Sequence, residues 1–263
     1  VELFPAIDGI LCCSVLRRRV MSIHSLLIPF LTLVFSTAPA VQKEPVSDKT
    51  PQSAAADAAQ MIGKPLPTVQ VTDLEEKVVD LSKLTDETLV LEFTVPSCSF
   101  AKRLYIQKRV QPLIRRWGKS GVKWVSVDST FFAHPQRWKD WAAKYSLDHQ
   151  FLLDKEGQLA ESLSVRVSPT YVVIHKGKVA YHGALDDDIW GQNMERVVLL
   201  DNALKAIRAG EQASDAYNKP YGMAIRTRKV EDVRRKEFEE ARKKALKDLQ
   251  KPGESADKPS SKD

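Results

Sequence analysis

Residues 89–102 read Leu89-Val90-Leu91-Glu92-Phe93-Thr94-Val95-Pro96-Ser97-Cys98-Ser99-Phe100-Ala101-Lys102, and the change of period inside them decides the fold. Leu89 to Val95 is an apolar, β-branched run of buried-strand length, and Pro96 ends it. From Ser97 to Lys102 the spacing is helical. A thiol, Cys98, therefore sits where a strand turns into a helix. The free N–H groups of a helix's first turn and its positive dipole end favour negative charge there, which suits a cysteine that works as thiolate.

The same stretch carries a family frame. Laid without a gap on Phe93 to Lys102, the pattern Phe-x-x-Pro-x-Cys-x-x-Cys-Lys finds Phe93, Pro96, Cys98 and Lys102 in place. Ser97 stands for the usual Trp, and Ala101 for the second Cys. Further on, Val167-Ser168-Pro169-Thr170-Tyr171-Val172-Val173-Ile174, with a hairpin at Lys176-Gly177-Lys178, gives a second signature. Together these stretches resemble the thioredoxin-like superfamily. Ile62 to Leu81, read as a hairpin turning at Asp73 to Lys77, is similar to the opening of its redoxin (AhpC/TSA-like) and peroxiredoxin branch. The resemblance spans roughly Met61 to Arg226. It implies an α/β fold: a central mixed β-sheet flanked by helices, with an added N-terminal hairpin and a C-terminal helical extension.

That resemblance also implies roles. Cys98 is the nucleophile, Glu92 falls where many thioredoxins carry a buried proton acceptor, and Lys102 is an electrostatic helper. Pro169 is the cis proline facing the thiol, and Pro96, Ser97, Ser168 and Thr170 line the substrate-binding loops. An extended substrate can pair with the backbone exposed there. The tail Pro220 to Arg226 is similar to one in exported redoxin-domain proteins, in which Gly is commonly followed by Cys; here Met223 follows Gly222. Both places from which a resolving thiol usually comes are thus filled by residues that cannot resolve.

With 263 residues, 43% of them apolar, the chain can bury one good-sized core. A net charge of +6 comes from basic residues interleaved with acidic ones, and without a nucleic-acid motif it reads as a solvated surface. No cofactor or metal is expected. Asp186-Asp187-Asp188 reads as a solvated loop, and the histidines at 134, 149, 175 and 182 as surface or core residues.

In chain order, residues 1–40 read as a targeting segment, with Arg17 to Arg19, an apolar core at Leu26 to Phe35 and a small-x-small signal at Ala38-Pro39-Ala40. The apolar run is about half of the roughly 20 residues that span a bilayer, so contact with a membrane is expected only through this segment if it stays uncleaved. Export to a periplasm or cell envelope follows. Cys12 and Cys13 precede the cleavage signal, which leaves Cys98 as the thiol of the mature chain. Residues 41–60 have linker composition, 61–226 the redoxin domain, 227–250 a charged helix and 251–263 a disordered tail. Helices are expected over Ser99 to Trp117 despite Pro112, over Pro135 to Tyr145 with Trp138 and Trp141, and over Met194 to Ile207.

Disulfide exchange needs a thiolate and a second thiol to resolve the mixed disulfide. With Ala101 in place, the expectation is a single-cysteine oxidoreductase acting on protein or small-molecule disulfides or oxidised thiols, completed by an external thiol reductant. The alternatives are a one-cysteine peroxidase and a redox-inactive binding or scaffold module. Against the peroxidase, Val95 stands where peroxiredoxins place Thr or Ser three residues before the reactive cysteine. A cysteine hydrolase would need a framed histidine, and none is framed.

Overall fold

The computed structural model describes residues 51–84 and 88–249. The targeting segment and the C-terminal tail expected from the sequence lie outside them. In chain order the elements are α1 (Pro51–Ala59), β1 (Val71–Thr72), β2 (Val78–Val79), a 3-10 turn (Leu81–Leu84), β3 (Thr88–Phe93), α2 (Ser99–Ile106), α3 (Gln111–Gly118), β4 (Lys123–Asp128) and α4 (Pro135–Tyr145). There follow β5 (Gln150–Leu153), α5 (Gln158–Ser162), β6 (Val167–Ser168), β7 (Thr170–His175), β8 (Lys178–Gly183), α6 (Leu199–Arg208), β9 (Met223–Ala224) and α7 (Arg228–Leu249).

The seven-stranded sheet runs β2-β1-β5-β4-β3-β7-β8, with β6 and β9 as a separate pair. β3 lies at its centre, parallel to β4 and antiparallel to β7. Alternation along β3 divides the core. Leu89, Leu91 and Phe93 face one side, with Val125, Val127, Val172, Ile174 and the α5 residues Leu159, Ala160 and Leu163. Val90 faces the other, against Tyr105, Trp117, Trp124, Trp138, Trp141 and Leu204 from the helices that cover it. Each such large side chain taken fully out of water contributes about 1.5–3 kcal/mol, and this two-sided burial is why the strand reads as a continuous apolar run. The sheet is mixed and helix-flanked, as the family resemblance implies.

Three local expectations are corrected. The helix expected over Ser99 to Trp117 is two helices: α2 ends at Ile106, Lys108 takes φ 53°, and Pro112 stands in the first turn of α3. Proline has no N–H to give and its ring crowds the carbonyl four residues back, so the chain restarts rather than continues. The helix expected from Met194 begins only at Leu199, because side chains of the preceding loop hold residues 191–197 otherwise. Within the stretch expected as linker, Pro51–Ala59 is helical and Ala58 is buried, alanine being the best helix former present.

Candidate active site

Cys98 caps the N-terminus of α2, as its position between strand and helix predicts. Its N–H bonds to Val95 O at 2.8 Å and its carbonyl accepts from Lys102 N at 3.0 Å, the first bond of the helix. The antiparallel register of β3 and β7 sets Phe93 opposite Thr170, which brings the loop before β7 under the cysteine. There the Ser168–Pro169 peptide bond is cis. Cys98 Sγ donates to Ser168 O at 3.0 Å, and Val95 N donates to Ser168 Oγ at 3.1 Å. Thr170 Oγ1 donates to Val167 O at 2.7 Å and ties the loop to itself.

Cys98 is 2% exposed and packs with Val95, Ala101 and Phe100. Ala101 fills the place of a second thiol with a methyl group, and Val95 offers no hydroxyl to the sulfur. Pro96 is half-buried and Ser97 exposed at the rim. The Lys102 side chain is also exposed and makes no side-chain hydrogen bond or ion pair among the described residues.

Glu92 is fully buried on the helix-covered face. Its Oε2 accepts from Tyr105 OH and Trp124 Nε1 at 2.9 Å and from Ser126 Oγ at 3.2 Å; its Oε1 accepts from Tyr171 OH at 3.3 Å. Burial pushes the Glu92 carboxyl up from its ordinary value, against these donors, which favour the carboxylate. Its direct partners are these four residues and not Cys98. Ser126 Oγ also lies 2.8 Å from His149 Nε2.

The Asp186–Asp188 stretch is not a solvated loop: Asp187 is exposed, but Asp186 and Asp188 are buried. Arg109, from the turn after α2, places Nη1 2.9 Å from Asp186 Oδ2 and Nη2 2.9 Å from Asp188 Oδ2. Asp186 also faces Arg196 Nε at 3.1 Å and accepts from Tyr221 OH at 2.5 Å. Asp188 accepts from the N–H groups of Gly191, Gln192 and Asn193. Burial alone would raise its pKa, but Arg109 and these amides outweigh that and hold it at about 2. The knot anchors the far end of the cysteine helix, a role that the local sequence does not disclose.

The tail also arrives here. β9 pairs antiparallel with β6, Met223 opposite Ser168 and Ala224 opposite Val167. Met223 Sδ lies 3.7 Å from Ser99 Oγ, and Tyr221 stacks at 6.1 Å from Phe100. The sequence singled out Met223 through its motif, and the structure sets it opposite Ser168, whose carbonyl accepts from Cys98. On the other flank, Phe132 and Arg137 line a depression with Pro96 and Ser97, and Phe131 packs against Phe132. They fall in no motif, and reading the sequence missed them.

Residues 62–182 match the sequence profile of the AhpC/TSA family. An uncharacterised conserved protein from Geobacillus kaustophilus has a similar structure, with 22% identity, TM-score 0.57, 63% of this chain covered and 91% of that one. A hypothetical protein from Sinorhizobium meliloti 1021 is similar at 18% identity and TM-score 0.56, with 63% and 94% covered. At these identities the likeness shows the fold. No curated protein matches the chain. Over residues 62–182 the chain thus carries a thioredoxin-like redoxin domain that matches the AhpC/TSA family of redox proteins.

Proposed function

We propose that the protein is an exported thiol oxidoreductase that works through the single cysteine Cys98 on disulfides or oxidised thiols. The observation that carries this reading is the Cys98 thiol at a helix N-terminus, 3.0 Å from the carbonyl of Ser168 in the loop of Pro169. In this reading the thiol leaves Ser168 O and its thiolate attacks one sulfur of the substrate disulfide. A mixed disulfide forms and the other sulfur departs as thiolate. With Ala101 and Met223 in the two resolving positions, an external thiol attacks the mixed disulfide and frees Cys98.

Pro169, Ser168 and Thr170 position the substrate, with Pro96 and Ser97 at the rim and Lys102 raising the local positive potential. Glu92 takes up protons within the core through Tyr105 or Ser126. The targeting features of residues 1–40 support export, 61–226 form the redox domain, and 227–250 its helical extension.

Burial of Cys98 favours a second reading, a binding module that keeps the fold without turnover. The test is mass spectrometry of the full chain after exposure to a small disulfide and then to excess thiol. A mixed disulfide on Cys98 that the thiol removes, absent from Cys98→Ser, supports the enzyme. Stable, unmodified Cys98 supports the binding module and overturns the enzyme.

A further inference from the structure

Resting on Cys98 as the exchanging thiol, we propose that its substrate is a small anionic disulfide, bound in the depression that Pro96, Ser97 and Arg137 line, with Arg228 against the neighbouring Phe131 ring, rather than an extended polypeptide.

Two independent observations lead there. The first is that the backbone edge next to the cysteine is taken. β9 occupies β6 through Met223 and Ala224, and Ile225 N continues the pairing onto Arg166 O at 2.9 Å. Gly222 lies so close that a Cβ on it would sit 1.9 Å from Ser168 O, and its φ is 149°. A polypeptide that binds by adding a strand needs free N–H and C=O groups on such an edge. Here the protein's own tail uses them. An extended substrate would have to displace β9 to pair at this edge.

The second is what stands on the open flank. A depression of about 310 Å³ is walled by Val95, Pro96 and Ser97, the three residues before the cysteine, and by Asp128, Phe132 and Arg137. Phe131 and Phe132 meet edge to face at 5.1 Å. Arg137 lies 5.6 Å from the Phe132 ring centre, Arg228 5.6 Å from that of Phe131, and Arg226 5.1 Å from that of Phe131. Arg226 is paired with Glu231 at 2.6 Å. Arg137 and Arg228 have no carboxylate within 4 Å among the described residues, although Arg137 feels the charge of buried Asp128. The Asp128 oxygens already accept from Thr130 and from Trp138, which leaves the two arginines for a ligand. Guanidinium groups held against aromatic rings present their N–H forks outward and match a carboxylate. A depression of this size takes one small molecule, and its anionic groups would be drawn to Arg137, in a wall shared with Ser97, the residue before Cys98.

The exchange balances without a further oxidant or reductant. Cys98 thiolate attacks R–S–S–R, giving Cys98–S–S–R and R–S⁻. An external thiolate R′–S⁻ then attacks the mixed disulfide, giving R–S–S–R′ and free Cys98 thiolate.

The test compares the rates at which the full chain reacts with the dianion 5,5′-dithiobis(2-nitrobenzoate) and with neutral 2,2′-dithiodipyridine, each relative to a free thiol. Arg137→Gln/Arg228→Gln should slow the dianion by about three- to tenfold and leave the neutral reagent within about twofold, and high salt should act in the same direction. Equal loss for both reagents, or none, overturns the proposal, as does a peptide disulfide that outpaces the dianion. Titrating oxidised glutathione into Cys98→Ser separates binding from chemistry. Binding that weakens in the arginine variant supports the anionic site even where Cys98 proves unreactive, a failure that would fall on the oxidoreductase reading alone. Absence of binding overturns the site.

Discussion

Arg109→Met tests whether the end of the cysteine helix is held by charge. Methionine keeps most of the length and apolar contact of the arginine stem but removes the two hydrogen bonds that reach Asp186 and Asp188. The Asp186 side chain is wholly buried and, among the described residues, keeps only Arg196, whose side chain is 25% exposed, as a counter-charge. Removing one partner of a buried ion pair costs about 3–5 kcal/mol, and because Arg196 remains the lower end applies. For a domain of this size that is a fall in Tm of about 6–12 °C. Urea and thermal unfolding at pH 7 measure it. Asp186→Asn in the same chain removes the charge left bare and should recover part of the loss.

The acid limb gives a further check. Asp188 is held at about 2, below its unfolded value of about 3.9. Its contribution is therefore complete above the unfolded value and is lost as pH falls through about 2. Arg109→Met should lose stability at higher pH than the natural protein does. A loss under about 1 kcal/mol, or a double variant no more stable than the single one, would refute the reasoning.

Glu92→Gln probes the buried carboxyl: burial raises its native pKa, so the folded state binds the proton more tightly and stability declines as pH rises from the unfolded value, about 4.3, towards the native one. The variant should lack that decline in urea unfolding between pH 4 and 8 and be at least as stable as the natural chain at pH 8; a natural protein flat across that window would contradict the burial argument. Gly222→Ala forces a side chain onto Ser168 O and should lift β9 from β6, raising the rate of Cys98 alkylation about tenfold, equivalent to ~1.4 kcal/mol of strand pairing. An unchanged rate would mean that the tail does not cover the thiol.

What the sequence discloses follows the range of the forces involved. β3 and the cap at Cys98 are legible because periodicity and a strand-to-helix change are local, and Ser168-Pro169 is legible because the motif around it is contiguous. The break at Lys108 was signalled by Pro112, whose clash is local too, but the apolar spacing across it outweighed the signal. Asp186 and Asp188 look like a hydrated turn because their counter-ion, Arg109, lies 77 and 79 positions away. No window of sequence contains both. The late start of α6 has the same origin, since Asp187 and Asp188 accept the amides of Val197 and Asn193 and hold that segment out of the helix. Phe132 and Arg137 escape notice because a depression walled by separate stretches of chain has no period.

α7 has no buried residue along its 22 positions, and the ties from its first turn to the domain include Thr227 and Lys229 with Glu161. At 1.5 Å per residue it is about 33 Å long. Its backbone bonds beyond that turn are protected by little more than helix propensity and neighbouring charges, whereas those of β3 open only when the domain does. In deuterium exchange the two should therefore separate in time. The amides of α7 should label early, with uptake increasing towards Leu249, while those of Leu89 to Phe93 remain dark until global unfolding, so one chain should report two opening energies.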